Sequence, residues 1–200
     1  MGFMQSTTAS EDFKVYVAFN AKAGRWYTKE DKPDAELFEV KDLTAVFDFN
    51  SLRTGWFLFA PGVAPVKQLN EKLHVFPPRP SDGFKQGFQI NLFSGKNLLG
   101  VREFASTAGV VIDSMNELYD AYDAASESKS GLLPVVKCVD VRPISGAHGT
   151  NYAPVFQILS WVERPVELIE AAVSKPQPDP GAHVREAAPA HADLDDDIPF

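Results

Sequence analysis

The 200-residue chain holds a single cysteine, Cys138. One thiol cannot close an internal disulfide, and its apolar neighbours mark it as a buried strand residue. That usage fits a reducing compartment, so a cytosol is expected, including that of a bacterial host. Long hydrophobic runs are absent: no stretch reaches the roughly eighteen apolar residues that a membrane helix needs. Residues Met1 to Thr8 lack the basic-then-apolar pattern of a signal peptide. Positive charge is scarce, with 19 Lys and Arg against 27 Asp and Glu, a net of −8. This excludes a protein wrapped in a basic field, but not one with a local basic groove.

Enzymatic patterns are missing as well. None of His74, His148, His183 and His191 stands at metal-ligand spacing with Cys138. Gly95-Lys96 is followed by Asn97 and lacks the upstream glycine of a phosphate-binding loop. No nucleophile elbow occurs. Glu39, Asp42 and Asp48 could ligate a metal in a nuclease, yet nothing in their spacing demands one. A non-catalytic protein without a cofactor is expected.

What is present is a core and a tail. Apolar residues make up 44 % of the chain and aromatics 12 %, enough for one sizeable domain. Phe13 to Phe19 alternates with period two and predicts a strand. Further strands are expected near 36–49, 54–60, 84–104, 132–142 and 152–162, with a turn at Ser94–Asn97. Asn50–Gly55 and Pro143–Thr150 read as breaks, and the proline-rich residues 61–83 as an inserted loop. Between 106 and 125 the period changes to three and four, which predicts a helix capped by Ser106 or Thr107. Arg164-Pro165 should end the last strand. The expected divisions are a flexible N-terminus (1–11), a folded domain (12–168), a Pro/Ala-rich linker (169–192) and an acidic tip (193–200).

That order, strands then one helix then two strands, predicts a mainly β protein of OB-fold type. Such a fold is a five-stranded Greek-key barrel with its helix between strands three and four. The N-terminal strand would be an addition, and the C-terminal tail would be disordered.

Half of the net charge lies in the tail: residues 171–200 hold six acids and two bases, a net of −4. The tail closes with Asp195-Asp196-Asp197-Ile198-Pro199-Phe200. An aromatic beside a terminal carboxylate, behind a set of acids, is a compact ligand for a pocket with a basic rim. This tip resembles that of bacterial and phage single-stranded-DNA-binding proteins, residue for residue over the last six positions. The resemblance covers the tail alone. It implies a protein, of phage type, that coats single-stranded DNA without strong sequence preference. It further implies recruitment of replication, recombination and repair proteins through Asp195, Asp196, Asp197, Ile198, Pro199 and Phe200. A monomer or homodimer would serve. The rival expectation is an interaction protein that uses the tip to divert partners of the host's own binding protein without holding DNA.

Single-strand binders stack bases on aromatics and hold phosphates with cations. The best such cluster is Lys22, Arg25, Trp26, Tyr27 and Lys29, with Trp26 as the expected stacking platform. Arg53 and Trp56 form a second candidate. Lys67 in the proline-rich insertion, and Lys85 and Phe88 in the following strand, complete the expected site.

Overall fold

A computed structural model describes residues 15–32, 35–59, 65–146 and 149–173. Alternating apolar and polar residues place the first strands. Strand β1 (Tyr16–Asn20) and β2 (Arg25–Lys29) form an antiparallel hairpin. Its turn is stitched by Asn20, whose Oδ1 accepts the N–H groups of Lys22 (2.9 Å) and Ala23 (3.1 Å). Gly24 follows with φ +67°, and a Cβ there would lie 2.9 Å from the Tyr152 ring. Both the backbone and the space therefore demand glycine.

Strand β3 (Leu37–Val40) adds to β2, and β4 (Thr44–Leu58) begins the long part of the sheet. β4 runs straight through Asn50–Gly55, where a break was expected. The polar residues build a bulge instead. Ser51 Oγ donates to the Asp48 carbonyl (2.7 Å) and accepts from the Asn91 N–H (2.8 Å), carrying the ladder across the register shift between Asp48 and Arg53. The proline-rich insertion contains a short strand, β5 (Val66–Leu69), paired with β4. Gly55 permits that pairing: a Cβ there would come within 2.2 Å of the Gln68 carbonyl.

Strands β6 (Lys85–Ser94) and β7 (Gly100–Ser106) form the expected hairpin. Helix α1 (Gly109–Ala124) comes next, within the predicted 106–125. Its N-cap is Ala108, without a side-chain bond; Ser106 Oγ accepts the Ala108 N–H (3.2 Å) one step early. A single turn, α2 (Ser126–Lys129), leads into β8 (Leu133–Gly146) and β9 (Gly149–Val162). These two pair from Leu133↔Val162 out to Gly146↔Gly149, so residues 143–146 and 149–150, expected in a loop, are paired strand instead. Helix α3 (Val166–Val173) stands where the linker was expected to begin. Pro165 starts it: its carbonyl accepts the N–H groups of Leu168 (3.1 Å) and Ile169 (3.3 Å). Leu168 is fully buried, and α3 packs on β6 and β7.

The architecture is a mainly β half-barrel. All nine strands share one curled sheet, ordered β3-β2-β1-β7-β6-β4-β8-β9, with β5 on β4. The β1–β7 pair is parallel and the others are antiparallel. Nine strands form an open sheet where five and an added N-terminal strand were expected. The β1–β2 hairpin extends the sheet beyond β7, and its turn meets β9 through one bond, Tyr152 N–H to the Ala21 carbonyl (2.7 Å). The inner face carries the core: Phe19, Trp26, Phe47, Phe88, Ile90, Leu92 and Phe104, with Val111, Met115 and Leu118 of α1 packed against them. Among the described residues, no helix is long and apolar enough to cross a membrane.

Candidate nucleic-acid interface

Strand β2 reads Arg25-Trp26-Tyr27-Thr28-Lys29, and successive strand residues face opposite ways. Trp26 and Thr28 point inward; Arg25, Tyr27 and Lys29 point outward. Trp26 is 4 % exposed, with ring centroids 4.9 Å from Phe19, 5.0 Å from Phe104 and 6.1 Å from Phe156. It offers no open face, which corrects the expectation that it stacks on a base. A ring of that size is drawn inward because the interior is where its apolar area leaves water. Phe88 is buried too, edge-on to Phe104 at 5.3 Å, so it presents no ring beside the exposed Lys85, contrary to expectation.

The outer face of the same hairpin is aromatic and basic. Tyr27 is half-buried, paired in register with Ala18 on β1 and Glu39 on β3. Tyr16 of β1 is exposed, and the Lys29 ammonium lies 5.6 Å from its ring centroid, close enough for a cation–π attraction. Arg25 is exposed and pairs with Glu39 at 3.2 Å. An exposed pair of this kind holds loosely, so the guanidinium can exchange the carboxylate for a phosphate. Lys22 stands exposed in the turn. The structure thus brings Lys22, Arg25, Tyr27 and Lys29 together and adds Tyr16. The signal for Tyr16 was in the sequence: it alternates with Val17 and Phe19, so it had to face out.

Behind this face sits Arg102, 3 % exposed, whose guanidinium donates to the carbonyls of Val101 (2.9 Å) and Lys29 (3.4 Å). Burial pulls its pKa down, and Asp31 opposes that in part. Nearby, the Lys32 ammonium bonds Glu30 at 2.8 Å and holds that carboxyl below its usual range.

The remaining expected residues form no second patch. Lys67 is engaged: its ammonium bonds Gln89 (3.0 Å) and pairs with Glu103, with both charged side chains largely covered. It is not available to a phosphate, contrary to expectation. Arg53 is exposed, but it turns back onto the Leu52 carbonyl (2.8 Å). Trp56 is half-buried, its Nε1–H donating to the Pro77 carbonyl (2.9 Å) and its ring edge-on to Phe76 at 6.0 Å. Lys85 is exposed, opposite Phe57 in register. The tip Asp195–Phe200 lies outside the described residues. Among those described, no group of three or more His, Cys, Asp or Glu could hold a metal ion. The chain matches no known family model, no curated protein and no solved structure.

Proposed function

We propose that this is a non-catalytic single-stranded-DNA-binding protein of phage type, an OB-like half-barrel with a partner-recruiting C-terminal tip. The observation that carries the strand-binding reading is the outer face of the β1–β2 hairpin. There Tyr16 and Tyr27 offer rings, and Arg25, Lys29 and Lys22 offer cations, the two elements that sequence-tolerant binding needs. The succession β4, β6, β7, α1, β8, β9 supports the OB-like reading, with β1 and β2 inserted where the barrel would close. The partner reading rests on the tip sequence, Asp195 to Phe200. Its partners are replication, recombination and repair proteins of a bacterial host cytosol.

Fluorescence anisotropy of a labelled oligothymidine, at about 50 and 200 mM salt, tests the strand-binding reading. Binding that weakens steeply with salt is expected. Absence of binding at the lower salt would turn the reading to an interaction protein that diverts host partners. Metal-dependent cleavage of the oligonucleotide would turn it to a nuclease.

A further inference from the structure

Between α1 and the loop that joins β5 to β6 lies a pocket of about 340 Å³. It opens on the opposite side of the sheet from Arg53 and Lys85. Its floor is apolar, made by Leu52, Phe88, Met115 and the Tyr119 ring, and its mouth carries His74, Gln86 and Asn116. No carboxylate, ammonium or guanidinium lines it. The amides of Gln86 and Asn116 make no hydrogen bond to the protein among the described residues, so each presents a free donor and a free acceptor.

These features specify the occupant. A wall without ammonium or guanidinium offers a buried phosphate or carboxylate no fixed counter-charge. The volume sits at the small end of ligand cavities, roughly 300–1,000 Å³, which suits one ring-bearing group. Aromatic and thioether walls favour a flat, polarisable ring. Two unengaged amides at the rim match an edge that both donates and accepts. We infer that the pocket takes a single nucleobase, either one unstacked from a bound strand or that of a free nucleoside. The loop supplies a neighbouring cation for a flanking phosphate: Lys72 is exposed just before the lining residues Leu73 and His74. The inference rests on the single-strand reading for its strand-borne ligand but not for its chemistry.

The loop carries its own reporter. Trp56 is tied to it at Pro77 and abuts Phe76, which lines the pocket. Adenosine and cytidine, titrated into the full-length protein, should change Trp56 fluorescence, and Trp56→Phe should abolish the change. Asn116→Leu alters an exposed helix position and should not unfold the chain. It should weaken nucleoside binding about two- to tenfold, the worth of one hydrogen bond. It should leave the salt dependence of oligonucleotide binding unchanged. Nucleoside binding without oligonucleotide binding would uphold the pocket and sink the single-strand reading. Oligonucleotide binding by a protein whose Trp56 fluorescence ignores saturating adenosine and cytidine would overturn the pocket and leave that reading standing. Tighter binding of an aliphatic probe such as octanol than of adenosine would also overturn it.

Discussion

Trp26 and Tyr27 are adjacent in β2 and point to opposite faces of the sheet, the indole into the core against Phe19 and Phe104, the phenol onto the outer face beside Glu39. The pair separates stability from binding. Trp26→Ala should cost about 3–5 kcal/mol of stability, the usual toll of emptying a large aromatic site in a packed core. Tyr27→Ala should leave the denaturation midpoint close to that of the parent chain. It should weaken oligonucleotide binding by the worth of one stacked base, about 1–3 kcal/mol. Urea denaturation and anisotropy on the two variants decide it. A Tyr27→Ala protein that binds as tightly as the parent would remove this face from the interface.

If the proposed single-strand reading holds, Glu39 should compete with a phosphate for Arg25, with which it pairs at 3.2 Å. The pair is exposed on both sides, so breaking it has little cost to the fold. Glu39→Gln should therefore tighten oligonucleotide binding at low salt and steepen its salt dependence by about 0.7 in slope, the increment for one more phosphate contact on a single strand. A slope that stays the same would mean Arg25 faces no phosphate.

How much of this was legible in the sequence follows from what each pattern encodes. Period two marked β1 and β6, and the three- and four-residue period marked α1, because both report burial directly. The same reasoning failed at Trp26, where basic neighbours on either side suggested an exposed ring. Alternation, followed strictly, would have sent it inward with Val17 and Phe19. The bulge at Asn50–Arg53 was illegible because Ser51 satisfies its bonds across strands, with Asp48 and Asn91. The open sheet was illegible too, since the parallel β1–β7 contact joins segments more than eighty residues apart. Lys67 looked free because Glu103 lies thirty-six residues away in the chain.

The tail should act as an internal competitor. Its net charge of −4 over residues 171–200 follows directly on α3, which packs on β6 and β7. Charge held on the same chain as a basic patch acts on it at high effective concentration. Deleting residues 190–200 should tighten oligonucleotide binding, most clearly at low salt. Deleting Phe200 alone should abolish capture of host replication proteins and leave DNA affinity nearly intact. Equal or weaker DNA binding by the longer deletion, at every salt concentration, would end the competition idea.

Cys138 makes the fold sensitive to alkali. Burial pushes its thiol up from the ordinary value, and the Trp26 indole offsets only part of that. The folded state therefore prefers the neutral thiol. This contribution is complete below the unfolded value of about 8.5 and is lost as pH rises through the folded pKa. The Tyr122 phenol, raised chiefly by burial, works in the same direction. Urea midpoints should fall between pH 8 and pH 10.5, and Cys138→Ala should flatten the decline. An unchanged decline would assign the effect to Tyr122 or elsewhere.

Asp48 and Arg164 fasten the C-terminal helix to the sheet. Asp48 has no exposed surface, and its Oδ2 receives the Arg164 guanidinium at 2.7 Å across 116 positions of sequence. A buried carboxylate that loses its cation is costly, because neither water nor another charge replaces it. Arg164→Met should then destabilise the chain by about 3–5 kcal/mol. Asp48→Asn in the same chain should recover much of that loss, since the amide carries no charge to strand. The double variant distinguishes an electrostatic clasp from simple packing. If Arg164 acts only by filling space, Arg164→Met should be nearly neutral, and adding Asp48→Asn should bring no recovery.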